Sequence, residues 1–250
     1  WGESSGTAKA NKCQSNFIGV MVTLNAKPTL SNNRCSGNAV GISFADDAHG
    51  SAVSNTCEEN SEAGIAVFGQ AQPFLAMNTC VENRKSGIAY KGSAGGTAHS
   101  NRCVRNGYYG IHVYDAANPM LSGNICENNR AIGIVYEDST AGSARQNRCT
   151  ANGHGGIQTG GQSTPTLEEN TCHNNKKVGI AIGENSRPKV HQNHCGGSIF
   201  GVYIYEQATP SLTQNRCEDN AEAGIAYKGV TSGAASRNVC LNNKHGIFVG

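Results

Sequence analysis

The sequence predicts an all-β chain wound as a single-stranded parallel β-helix, a solenoid of about eleven coils with three short strands in each. Three observations predict it. Eleven cysteines stand at 13, 35, 57, 80, 103, 126, 149, 172, 195, 217 and 240, always 22 or 23 residues apart, each with Asn two positions before it. A fixed period of that length means one supersecondary unit copied along an axis. The residues after each Gly-Ile or Gly-Val pair alternate, as in Ile65, Ala66, Val67 and Val202, Tyr203, Ile204, which is the two-residue period of a strand. Large and small residues also trade places in matched pairs, as the interior of a closed coil requires.

The repeat reads Asn-x-Cys-x-x-Asn, then two or three residues, then Gly-Ile/Val-x-apolar, and runs from Asn11 to Val249. From each Gly to the next Cys the distance is always 16 residues, whereas from Cys to Gly it is six or seven. One bend therefore absorbs all length variation. Leu30, Leu75, Leu121, Leu167 and Leu212 mark a second inward strand position and the Cys row a third. Helices of ten or more residues do not fit between the Gly and Asn punctuation. Coils stacked about 4.8 Å apart give a rod about 50 Å long.

The volume pairing is strict. Where the residue three after Gly is aromatic (Phe44, Tyr90, Tyr136, Tyr227), the next inward position is Ala (Ala52, Ala98, Ala144, Ala235), and Gly precedes that Ala by two. Where it is smaller (Val22, Val67, Val113, Thr159, Ile182, Ile204), the later position is Leu30, Leu75, Leu121, Leu167, Val190 or Leu212, preceded by Pro. An interior packed to crystal density tolerates neither a void nor an extra ring. Tyr90, Tyr136 and Tyr227 are thus expected in the core, with hydroxyls that need partners.

The cysteine number is odd, and neither Cys-x-x-Cys nor a Cys/His zinc spacing occurs. Stacked in register, the side chains run parallel and do not offer the Cβ separation of about 3.8 Å and the dihedral near 90° of a disulfide. They are expected as buried, reduced thiols acting as small apolar filler, with no metal and no cofactor. Two Asn rows flank them, one two before each Cys and one three after, broken only by Ser198. Asn at a bend can adopt left-handed geometry and bond its amide to the backbone and to the Asn above and below. Both rows are expected as structural ladders.

The motif seen at Asn101, Cys103 and Asn106, followed by Gly110, Ile111 and Val113, resembles the right-handed parallel β-helix repeats of the pectate lyase-like superfamily, in particular the carbohydrate-binding and sugar-hydrolase repeats. The resemblance covers essentially the whole chain. It implies the right hand of the helix and an association with polysaccharide lyases, hydrolases and epimerases, although similar repeats also occur in non-catalytic proteins. Neither the Asn-Thr-Asp nor the Arg-Ile-Lys motif of polygalacturonases occurs, nor the Asp-Pro-His motif of alginate epimerases.

A net charge of +2, with charged residues at 15%, gives no electrostatic ground for a nucleic-acid partner. No apolar run approaches 18 residues, so no membrane partner is expected. The compartment is not readable. Residues 1–250 are read as a single domain belonging to a longer array, because Trp1 and Gly250 cut the repeat at the same phase with no polar cap. Uncapped coils would permit end-to-end association.

Candidate site residues lie on the outward face of the Gly strand. Lys91, His112, Tyr114, Asp115, Glu137 and Asp138, on coils four to six, combine acid, base and aromatic groups of the kind glycan chemistry uses. The plainer reading of that patch is a Lys91–Glu137 salt bridge among solvated neighbours. Tyr203, Tyr205 and Glu206 form a candidate sugar-stacking group, and His173, His191 and His194 a surface histidine cluster. Two function classes follow. The first is a non-catalytic scaffold presenting a rigid surface to a protein or polysaccharide partner, favoured by uniform short bends. The second is a polysaccharide-active or glycan-binding β-helix using the face around His112.

Overall fold

The computed structural model describes residues 2–250, so that Trp1 and the chain-end phase read from it lie outside the described residues. Thirty-three strands form three eleven-stranded parallel sheets, with every third strand in the same sheet. Coil 3 shows the unit: Ser51–Val53, Thr56–Glu58 and Ala63–Val67. Coils are numbered here by their cysteines, starting at Cys13. The strands that follow Gly form the long-strand sheet, and the Cys-centred strands form the cysteine sheet. No helix is present among the described residues.

Register is strict throughout. Cys80 pairs with Cys57 on one side and Cys103 on the other, and Leu75 lies between Ala52 and Ala98. All eleven cysteines are free, and those from Cys35 to Cys217 are buried. Phe44, Tyr90 and Tyr136 are fully buried together with Ala52, Ala98 and Ala144. In the end coils Tyr227 is only half-buried and Ala235 is exposed.

Three features differ from the sequence reading. The Tyr90 and Tyr136 hydroxyls have no hydrogen-bond partner. Burial pushes both phenols well above their ordinary value, followed by the cysteine row at Tyr90 and by Tyr90 itself at Tyr136. The Asn residues of the ladders are not in the left-handed region. The residue before each Asn is, as at Ser54 (φ 56°), Met77 (φ 53°) and Arg105 (φ 53°). That residue turns the corner with its side chain outward, which leaves the Asn facing inward. The Asn101 backbone N–H and Nδ2 both donate to Asn124 Oδ1 (2.9 and 3.0 Å), and Nδ2 also donates to the Leu75 carbonyl (2.9 Å). The Gly-for-Pro exchange, finally, has a backbone cause besides volume. Gly50, Gly96 and Gly142 have φ of 96°, 88° and 96°. A Cβ on Gly142 would strike the carbonyl of Pro119 in the coil below, so each such Gly bend nests on a Pro bend.

Candidate functional site

The glycine that opens each long strand turns the corner from the cysteine sheet. A Cβ on Gly110 would lie 2.8 Å from Cys126 Cβ, inside the coil, and Ile111 beside it is also fully buried. Two consecutive residues therefore face inward, and strict alternation starts only after them. The outward positions are consequently the residue just before Gly and those two and four after it. Sequence periodicity found the last two and missed the first, which holds Tyr109 and Phe200.

On coil 5 these three positions are Tyr109, His112 and Tyr114, and their rings form a bar across the sheet. Tyr109 and His112 lie 4.8 Å apart with planes tilted by 59°, and His112 stacks on Tyr114 at 4.3 Å and 24°. His112 Nε2 lies 2.8 Å from Glu137 Oε2 on the next coil, which fixes the imidazole between the two phenol rings. Beside the bar a pocket of about 620 Å³ opens toward coils 3 and 4. Its floor is Ala63, Ala66, Ser86 and Ala89, its flanks include Phe68, Glu62, Lys85 and Tyr108, and the bar is its end wall. Small side chains on two successive coils create the depression, and rings on the third close it.

The remaining candidates of that patch are placed as follows. Lys91 Nζ lies 5.7 Å from the centroid of the Tyr114 ring, a cation–π arrangement. Lys91 and Glu137 do not pair, because Tyr114 occupies the intervening coil. Asp115 and Asp138 stand in left-handed turns (φ 64° and 59°). The Gly92 N–H donates to the Asp115 carboxylate (3.3 Å), and the Asp115 N–H to that of Asp138 (3.0 Å). Burial, followed by the charge of Glu137, raises the Tyr109 pKa, and burial, followed by Asp115 and Glu62, raises that of Tyr114.

Coil 9 repeats the bar at the same three positions. Phe200 and Tyr203 lie 4.9 Å apart at 34°, and Tyr203 stacks on Tyr205 at 5.5 Å and 25°. The Tyr205 ring lies down on Gly183 of coil 8, where even a Cβ would overlap it. Glu206 accepts the Glu184 N–H at 2.9 Å.

The histidines do not form one group. His173 and His194 meet edge to face at 4.2 Å, and His194 Nε2 lies 2.6 Å from Glu218 Oε1. His191 belongs to a different sheet and bonds Thr213 (2.9 Å). His173 Nε2 is buried without a partner, and desolvation, followed by the neighbouring His194, lowers its pKa. Among the described residues no group of three or more His, Cys, Asp or Glu side chains is placed to hold a metal ion.

The profile of one protein family, the right handed beta helix region, matches residues 1–94, 72–209 and 144–250, which together span the chain. No curated protein sequence matches. Among solved structures, a double mutant of the periplasmic alginate epimerase AlgG is similar with a TM-score of 0.82 at 15% identity, over 94% of this chain and 69% of that one. The unmutated AlgG gives 0.64 at 12% identity, over 98% and 74%. The A-module of the Azotobacter vinelandii mannuronan C-5 epimerase AlgE4 gives 0.61 at 12% identity, over 98% and 88%. At such identities the likeness is one of fold.

Proposed function

The chain belongs to the right handed beta helix family, and from that premise we propose that it binds a polysaccharide along the outward face of its long-strand sheet. The observation that carries the reading is the pocket of about 620 Å³ whose end wall is the Tyr109, His112 and Tyr114 bar. Sugars present alternating apolar C–H faces and polar hydroxyl rims. Such a ligand fits flat rings for the faces and polar edge groups for the hydroxyls. Glu137 holds His112 by its Nε2, so the ring is already oriented before a ligand arrives, which lowers the entropic cost of binding. Likeness in fold to polysaccharide epimerases supports the polysaccharide class, and it favours the glycan reading over a scaffold for protein partners.

Titration calorimetry of the purified chain against a panel of soluble polysaccharides tests the proposal. Saturable binding to at least one of them is expected. Absence of heat or retardation with every polysaccharide, alongside binding of a protein partner to the same face, would return the scaffold reading to first place.

A further inference from the structure

The two aromatic bars occupy the same three outward positions four coils apart. Register passes from Tyr109 through Ile132, Gly155 and Val178 to Phe200. Four coil steps of about 4.8 Å set the bars about 19 Å apart. Between them the sheet is low: Val135 and Ala181 are buried and Gln158 is half-buried, while in the outermost row Gly160 has no side chain, Gly183 is covered by the Tyr205 ring, and Glu137 is the one long side chain. The result is a bay along the axis, long enough for several pyranose rings laid end to end, with an aromatic platform at either end.

One edge of the bay is acidic. Asp115, Asp138, Glu184 and Glu206 stand in left-handed turns immediately beyond the outermost row. Each accepts a backbone N–H from the coil before it: Gly92, Asp115, Gly161 and Glu184 respectively. Among the described residues none of the four is in a salt bridge. Glu137 adds a fifth carboxylate within the bay, hydrogen-bonded to His112. On the opposite edge the residues next to the sheet are Tyr108, Ala131, His154, Lys177 and Ile199, with Arg130 and Lys176 one position further out. Lys91 lies outside the bay at one end, against Tyr114, and Lys228 outside it at the other, beside Tyr205 on the next coil. Between the two bars the five carboxylates outnumber the cations Arg130, Lys176 and Lys177, and their field reaches both platforms: after burial, Asp115 is the next cause raising the Tyr114 pKa, and Glu206 and Glu184 are the next causes raising that of Tyr205.

Resting on the glycan-binding reading of this face, we infer that its ligand is an uncharged linear polysaccharide lying along the axis and stacked at both bars. A polyuronate, the class to which the alginate named for the structurally similar epimerases belongs, is disfavoured. A polyuronate would run a row of carboxylates beside a fixed row of protein carboxylates, at separations within the Debye length of about 8 Å.

The test titrates the intact chain with xylan, mannan and hydroxyethylcellulose as uncharged probes and with alginate and polygalacturonate as charged ones, at low and physiological salt. At least one uncharged polymer is expected to bind, with affinity nearly independent of salt. Both polyuronates are expected to bind about tenfold more weakly or worse at low salt, and to improve as salt screens the edge. The variant Asp115→Asn, Asp138→Asn, Glu184→Gln, Glu206→Gln keeps an oxygen for each backbone N–H and is expected to gain polyuronate affinity. Phe200→Ala with Tyr205→Ala should weaken the long uncharged polymer about fivefold or more through loss of the second contact, while leaving a short oligosaccharide at the first bar unaffected. Polyuronate binding tighter than that of every uncharged polymer would overturn the inference and leave glycan binding intact. Binding of neither kind would remove both, and equal binding of the long polymer to the Phe200 and Tyr205 variant would overturn the two-bar arrangement.

Discussion

Ser198 lies directly above Asn175 in the second asparagine ladder and supplies neither of the bonds that an Asn there would give. Elsewhere, as at Asn152 under Asn175, the backbone N–H and Nδ2 both donate to the Oδ1 of the next coil (3.0 Å each). As a donor, Asn175 keeps only its bond to the Cys149 carbonyl (2.9 Å). Ser198 itself still donates its N–H to Asn220 Oδ1 (3.2 Å), so the ladder resumes one coil later. Ser198→Asn is expected to close the gap and to stabilise the fold by about 1–2 kcal/mol, two buried hydrogen bonds at about 1 kcal/mol each. Urea unfolding measures it. A midpoint that does not rise would mean that the ladder bonds contribute nothing net.

The same logic in reverse applies at Asn124. Replacing it by Ala removes the acceptor for two donors of Asn101 and the donor to the Ala98 carbonyl, all buried. Unpaired buried groups cost about 1–3 kcal/mol each, so a loss of at least about 3 kcal/mol is expected from equilibrium unfolding.

Tyr136 separates ring volume from hydroxyl. Tyr136→Phe should be neutral or stabilising by up to about 1 kcal/mol, because its hydroxyl is buried and unpartnered. Tyr136→Val should cost a few kcal/mol through the cavity it leaves. Adding Ala144→Leu to Tyr136→Val should recover part of that loss. Purely additive losses in the double variant would sink the volume-pairing account.

Buried thiols such as Cys35 and Cys80 make stability fall in alkali. A hydrogen bond to the neighbouring thiol, then burial, raises the pKa of Cys35 and Cys80 above the ordinary value of 9.0. A folded-state pKa raised for an acid means that folding favours the protonated form. The stabilisation is complete below pH 9 and is lost as pH rises above it, where the unfolded chain releases protons that the folded chain retains. The unfolding free energy should therefore fall above about pH 9, by up to about 1.4 kcal/mol per pH unit for each such thiol, and the melting temperature with it. Native protein should react with few equivalents of a thiol reagent and denatured, unreduced protein with close to eleven, the number of free cysteines. A flat alkaline limb would contradict burial of the row as thiols.

The solenoid was legible because its determinants recur. A Cys, two Asn and a Gly at fixed spacing repeat in nearly every coil, and the aromatic–Ala exchange reports the interior volume directly. What escaped was local and conformational. The left-handed residue before each Asn varies freely, from Ser54 to Met77 to Arg105, because its side chain faces solvent, so composition carries no mark of it. The Gly110 corner interrupts the two-residue period, which hid the outward row of Tyr109 and Phe200. Lys91 and Glu137 share a row but stand two coils apart, a separation invisible to any pattern that treats the row as adjacent. The site thus follows from the register of coils and less from any motif.

Binding of a soluble polysaccharide to the Tyr109→Ala, His112→Ala variant, measured by titration calorimetry beside its melting curve, decides whether the long-strand face is where a glycan binds. These side chains face outward, so the unfolding free energy should fall by no more than the lost ring contacts and the Glu137 bond, about 1–2 kcal/mol, and melting should stay cooperative, while affinity for the ligand found with the unaltered chain should be lost. Unchanged affinity with cooperative melting would contradict the claim and take the ligand away from this face.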